Sequence, residues 1–406
     1  MYDVTKIRNL FPALPQSGNP EGLVYLDNTA TTQTPSMVID AIKDGYIHRK
    51  ANVHRGVHSL SQEATARMEE ARRRIKNYIN AGSVEEVIFT SGATESINLV
   101  ASSLGQLIPE GSEIILTVME HHANIVPWQL LKSRKDVKIR VVDINERGEL
   151  DLDQYRSLFN DHTVLASFCH VSNVLGTVNP VREMVEFARS KGVYTVIDGA
   201  QGPGHVPVDV ADIGCDFYAF STHKMYGPTG VGVLYGRREL LEKMPPYQGG
   251  GEMIKNVSFS GTTFAELPFK FEAGTPNFVG IAASAAAVDF LESQEFKGAE
   301  GHELELMHAA EEGLRELIPQ IRIFGNARRK SAITSFLVGD VHPYDVGMLL
   351  DGLGIAVRTG HHCAQPLMDR LGIPGTVRAG FACYNTMEEV ERFLKSMQRV
   401  AKILHV

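Results

Sequence analysis

The stretch RTGHHCAQP, Arg358 to Pro366, sets a cysteine, Cys363, behind two histidines and a glycine. Three chemistries fit those residue types: a metal site, a redox thiol, or a nucleophile that attacks a substrate. Four further clusters stand where apolar runs stop. SGATES follows EEVIFT, and its glycine turn opens a helix whose free N–H groups and positive dipole end suit a phosphate. VIDGAQ leaves Asp198 at the end of VYTVID. FSTHKMYGPTG places Ser221, His223 and Lys224 beyond FYAFS, and MEHHANIVPW places His121 and His122 beyond EIILTV.

Each cluster has a plainer reading by itself. Ser or Thr at a helix start is an ordinary cap, a strand-end Asp is a turn residue, and a lone lysine is an exposed charge. His122 reads as part of a helix start capped at Asn124. The combination reads differently. Phosphate donors, a strand-end carboxylate, a lysine in a Ser-x-His-Lys setting and an aromatic His make a site for pyridoxal phosphate. The lysine forms the Schiff base, and the carboxylate keeps the pyridine nitrogen protonated.

Such a site needs strands to carry it. EEVIFT (85–90), EIILTV (113–118), VKIRVVDI (137–144), TVLASFCHV (163–171), VYTVID (193–198), FYAFS (217–221) and VGVLYG (231–236) are short runs rich in Val and Ile. Helical patterns separate most of them, which predicts a mostly parallel sheet covered on both faces. Ligands collect beyond the C-terminal ends of such strands. Past the Ala-rich FVGIAASAAAVDFL (278–291), the runs ITSFLV, GIAVRT and GTVRAGF with two helices predict a smaller α+β domain. The expected division is 16–280 for a large cofactor-binding domain and 281–406 for a small one, with residues 1–15 packed on the second.

Composition narrows the function classes. A chain of 406 residues suggests two or three domains;. A net charge of −8 argues against a nucleic-acid binder, and no apolar run reaches the length of a membrane span;. The N-terminus carries no signal-peptide pattern. The four cysteines, Cys169, Cys215, Cys363 and Cys383, form no CxxC pair. That disfavours a disulfide framework and a Cys-rich zinc site, and it predicts a reducing, cytoplasmic setting with no bound metal. Cys169, Cys215 and Cys383 read as buried structural thiols.

The sequence resembles fold-type I pyridoxal-phosphate enzymes of aminotransferase class V, and specifically SUF-type (group II) cysteine desulfurases. YLDNTATTQTP, HRGVHSLS, TSGATESINLV, MEHHANIVPW, HVSNVLGT, IDGAQ, FSTHKMYGPTG, FEAGTPN, VRTGHHCAQPLM and VRAGFACYNT carry the resemblance, from about residue 23 to the C-terminal helix. It implies a large domain with a mostly parallel seven-stranded sheet and a smaller C-terminal α+β domain. It implies Lys224 as the residue bonded to the cofactor and the acid/base for the substrate α-proton. Asp198 would pair with the pyridinium nitrogen, Gln201 would reach the phenolic oxygen, and His121 would stack on the ring while moving a proton. Thr94, Ser221 and His223 would hold the phosphate. Ala93 stands where relatives often have Thr, so its contact would be a backbone N–H.

By the same resemblance, Arg378 and Asn173 would bind the substrate carboxylate, and Arg358 would serve substrate binding or thiolate stabilisation. Cys363 would take sulfur from L-cysteine as a persulfide, leaving alanine. Thr275 would reach the partner's phosphate in a homodimer. An acceptor protein of iron–sulfur cluster assembly would then receive the sulfur. His342 and Asp345 fit either a role with a zinc-containing acceptor or a plain helix cap. Selenocysteine lyase, another class V enzyme that does not need Cys363, and a zinc or scaffold protein using HHC and EHH are the rivals.

Overall fold

Seven of the apolar runs become one sheet in the computed structural model, which describes residues 2–14 and 22–406. The expected start of the large domain, residue 16, lies outside the described residues. In spatial order the strands are Val87–Thr90, Gly232–Gly236, Phe217–Ser221, Tyr194–Asp198, Thr163–Cys169, Ser112–Thr117 and Val137–Val142. Gly232–Gly236 runs antiparallel to both neighbours and the remaining pairs are parallel. The central strands are buried along almost their whole length, as a sheet covered on both faces requires;. Helix Val181–Ser190 shows how the cover works. It buries Val181, Met184, Val185 and Ala188, one stripe at helical spacing;.

A second sheet is antiparallel, in the order Ile321–Phe324, Ile333–Val338, Thr376–Gly380 and Arg358–Gly360. Helices Ala299–Leu317 and Met387–Ile403 share a core with it, in which Leu306, Leu314, Phe336 and Phe393 are buried. Thr386 and Glu389 close a reciprocal capping box at the start of the last helix;. The chain's beginning is woven into this part. Val24–Tyr25 pairs with Ile355–Ala356, and Asp27 bridges to Gly380.

Helix Phe278–Leu291 forms as the Ala-rich pattern predicts, and it packs on helices Ser36–His48 and Ser59–Tyr78. Several elements were not expected from the sequence pattern. Among them are helix Ala299–Leu317, strand Ile321–Phe324, helix Gln365–Leu371 and an exposed hairpin, Ile254–Ser258 with Gly261–Phe264. The expected helix start at Asn124 is corrected. The turn His122–Asn124 is capped by His121, whose Nδ1 accepts the Ala123 N–H at 3.0 Å. Asn124 is buried instead, where its side chain is committed to Glu120, Trp128 and Ser167.

Candidate active site

The strand ends converge on a cavity of about 270 Å³. At one end, helix Ala93–Ser103 begins at Gly92 with no side-chain cap. Beyond Ala93, its first-turn N–H groups therefore remain available to a ligand. The Ala93 N–H donates to Ser221 Oγ at 2.8 Å, which ties this turn to the end of strand Phe217–Ser221. The approach is close enough to demand glycine across the strand pair. A Cβ on Gly232 would lie 2.4 Å from Gly92 Cα. His223 Nδ1 lies 3.2 Å from Thr31 Oγ1, and burial pushes that imidazole down to about 4, so it is neutral.

Asp198 ends strand Tyr194–Asp198 and is buried. Burial raises its carboxyl above the ordinary range, while the Ala200 N–H at 2.9 Å and the nearby Lys224 oppose that rise. Lys224 closes the short turn Thr222–Lys224 and is pushed down to about 8, chiefly by burial, with Asp198 opposing and Arg378 adding to the fall. His121 is driven to about 4 by burial and then by Lys224. Because its Nδ1 accepts from Ala123, the proton of the neutral ring sits on Nε2;. Gln201 donates through Nε2 to the Thr29 carbonyl at 2.7 Å, and its buried Oε1 has no partner among the described residues.

The opposite wall comes from the second sheet. Arg358 and Arg378 are direct cross-strand partners, so both side chains leave the same face of the sheet;. Each has an Nη atom 3.6 Å from Asp27. Arg378 is buried and pushed down to about 10 by that burial, against the pull of Asp27, and its Nη1 donates to the Asn173 carbonyl at 2.7 Å. Arg358 is half exposed. Asn173 Nδ2 donates to the His362 carbonyl at 2.8 Å, which brings Cys363 to the cavity wall.

Ala93, Thr94, His121, Asn173, Asp198, Gln201, Ser221, His223, Lys224, Arg358, Cys363 and Arg378 all line this one cavity. Thr275 does not; it is exposed, one residue past the left-handed Gly274. Several lining residues escaped the sequence reading, among them Thr29 and Ala30. Asp27 stands in the quoted YLDNTATT motif, yet nothing local marks it as a partner of two arginines. Glu120 escaped too. Burial pushes it up to about 8, while Thr117 and Asn124 donate to it. Cys169 is buried beside it and also lines the cavity, with its thiol raised by burial. His342 caps helix Pro343–Gly352 by accepting the Tyr344 N–H at 3.3 Å. Among the described residues, no three His, Cys, Asp or Glu side chains group to hold a metal ion.

The donor set fits pyridoxal phosphate on the structure's own terms. Uncapped helix N–H groups face one end, and an amine of lowered basicity stands mid-cavity. A buried carboxyl there lacks a full counter-charge, and Gln201 keeps an unpartnered oxygen. Comparison with known proteins agrees in class. The aminotransferase class-V family model matches residues 24–393, and the chain belongs to that family, whose enzymes use this cofactor.

Its relatives narrow the likeness. A cysteine desulfurase of Serratia proteamaculans is 48% identical over 405 residues, covering 99% of each chain. One from Klebsiella pneumoniae is 49% identical over the same length and share. Among solved structures, the cysteine desulfurase CsdA of Escherichia coli superposes with a TM-score of 0.92 at 38% identity. It covers 99% of both chains. The apo cysteine desulfurase of Thermococcus onnurineus gives 0.93 at 40%, again over 99% of both.

Proposed function

We propose that this chain is a pyridoxal-phosphate-dependent cysteine desulfurase that converts L-cysteine to L-alanine and keeps the sulfur on Cys363 as a persulfide. One observation carries the reading. Cys363 stands on the wall of the same cavity as Lys224, Asp198 and the paired Arg358 and Arg378.

The cofactor supplies an electron sink for negative charge at the substrate's α-carbon. Lys224 would hold it through Nζ and, as a free amine whose basicity burial lowers, would accept and return the α-proton;. Asp198 holds the ring-nitrogen proton, and Ala93, Thr94, Ser221 and His223 hold the phosphate. Gln201 meets the phenolic oxygen. His121 offers its Nε2 proton from beside the ring. Arg378 takes the substrate carboxylate in a two-pronged contact, with Asn173 alongside and Arg358 nearby.

The Cys363 thiolate then attacks the substrate sulfur. The S–S bond forms as the Cβ–S bond breaks, the bonding pair stays with carbon, and a proton completes alanine. The balance is L-cysteine plus enzyme thiol giving L-alanine plus enzyme persulfide. The finer parts of the proposal are a SUF-type (group II) enzyme, a homodimer in which Thr275 reaches the partner's phosphate, and an iron–sulfur assembly protein as acceptor in the cytoplasm. Supporting the shared site, Thr275 is exposed and is not among the residues lining this chain's own cavity. The domain division of 16–280 and 281–406 belongs here too. Residues 1–15 would pack on the second domain, as Arg8 against Glu389 and Tyr2 against the Cys383 carbonyl support. The packing of helix Phe278–Leu291 favours a division at that helix's end.

The test pairs product analysis with one substitution. With L-cysteine the enzyme releases alanine and gains sulfane sulfur on Cys363. Cys363→Ala loses alanine release by about a hundredfold or more while keeping its cofactor absorbance. Undiminished alanine release by Cys363→Ala would remove the cysteine from the reaction.

A further inference from the structure

Cys363 sits on backbone that resists its own shape. His362 and Cys363 have φ of 51° and 56°, two successive non-glycine residues in the left-handed region. Such a conformation persists only where surrounding contacts over-determine it. Some of those contacts are local or belong to the site already described. The Cys363 N–H donates to His361 Nδ1 at 3.2 Å, and His362 Nε2 lies 2.9 Å from Thr376 Oγ1. Two come from a single residue on the other side of the cleft. The His122 N–H donates to the Cys363 carbonyl at 2.6 Å, and His122 Nε2 accepts the Gln365 N–H at 3.1 Å.

We infer that His122 is a positioning residue for the nucleophile, bracketing Cys363 with one backbone and one side-chain hydrogen bond. The claim rests on the desulfurase reading for its kinetic consequence, though not for its geometry. Gln365 opens helix Gln365–Leu371, and Ala364 before it offers no side-chain cap. The first N–H of that helix would be an orphan without the imidazole. His122 therefore caps a helix 243 residues further along the chain. To accept at Nε2 the ring must be neutral with its proton on Nδ1. Burial, followed by the neighbouring His361, holds its pKa below the ordinary histidine value. His361 lies 5.6 Å away between ring centroids and His121 lies 6.3 Å away on the same turn.

The experiment compares holoenzymes carrying His122→Ala and His122→Gln. Glutamine can present an acceptor oxygen near the Nε2 position; alanine cannot. Two readouts are taken: single-turnover persulfide formation with L-cysteine, and alkylation of Cys363 by iodoacetamide. The other three cysteines are buried, so alkylation reports on Cys363. His122→Ala slows persulfide formation about three- to tenfold and speeds alkylation by a similar factor, the scale of one lost hydrogen bond. KM for L-cysteine and cofactor absorbance stay unchanged, and His122→Gln recovers most of both rates. Wild-type rates in His122→Ala would overturn the inference. So would equal impairment of both variants, or loss of cofactor from either. A wild-type enzyme that forms no persulfide would fault the desulfurase reading alone, and the alkylation rates would still decide the role of His122.

Discussion

Asp198 shows how one residue depends on what stands opposite it. Buried at a strand end, its carboxyl is held against ionisation by burial, and a single backbone N–H with Lys224 opposes that cost. A cationic ring nitrogen would complete its partners and restore the charge. Asn in the same place keeps a hydrogen-bonding shape but cannot hold the nitrogen protonated. Asp198→Asn should fold normally and bind cofactor, with a visible spectrum that differs from wild type, and should lose about a hundredfold or more in turnover. Turnover close to wild type in the fully loaded variant would contradict this role. The local signal was legible, since an Asp where an apolar run stops is visible in any sequence. Glu120 was not, because its burial beside Cys169 depends on the strand packed next to it.

Elements rather than single side chains set where the site's outer segment lies. Glu272 is the second residue of the FEAGTPN stretch that carries Thr275, and its carboxylate accepts the Phe89 N–H at 2.7 Å. The same carboxylate pairs with the fully buried Arg72, whose Nη1 lies 2.6 Å from Glu272 Oε1. That pair fastens the turn to the edge strand leading into SGATES. Removing one partner leaves a buried guanidinium short of acceptors, though Glu69 still binds it. Glu272→Ala should therefore cost about 3 kcal/mol of stability, read from urea unfolding midpoints. A loss below about 1 kcal/mol would show that the turn is held by other contacts. Pattern reading could not have proposed this pair, whose members lie 200 residues apart.

At the scale of the molecule, Thr275 is the one expected site residue that faces away from this chain's cavity. The nearby hairpin leaves Val257, Phe259 and Phe264 exposed. Both observations suit a second copy seated against this surface, and symmetric dimers are the commonest oligomers. Sedimentation of the holoenzyme should give a mass near twice that of the 406-residue chain. Thr275→Ala should weaken cofactor retention during dialysis without dissociating the dimer. An active, cofactor-loaded monomer would refute the shared site.

The sequence by itself determined the seven strands, the helix opened by SGATES, and the placement of Lys224, Asp198 and Cys363 at segment ends. These are written in contiguous residues, as apolar runs, turn glycines and short spacings. Only the tertiary structure decided that Arg358 and Arg378 are cross-strand partners sharing Asp27. It also decided that Gln201 is anchored by the Thr29 carbonyl and that His122 brackets Cys363. Each of these contacts depends on strand register or on packing between distant segments. A shift of one residue in register turns a side chain to the opposite face, and no local pattern records that choice.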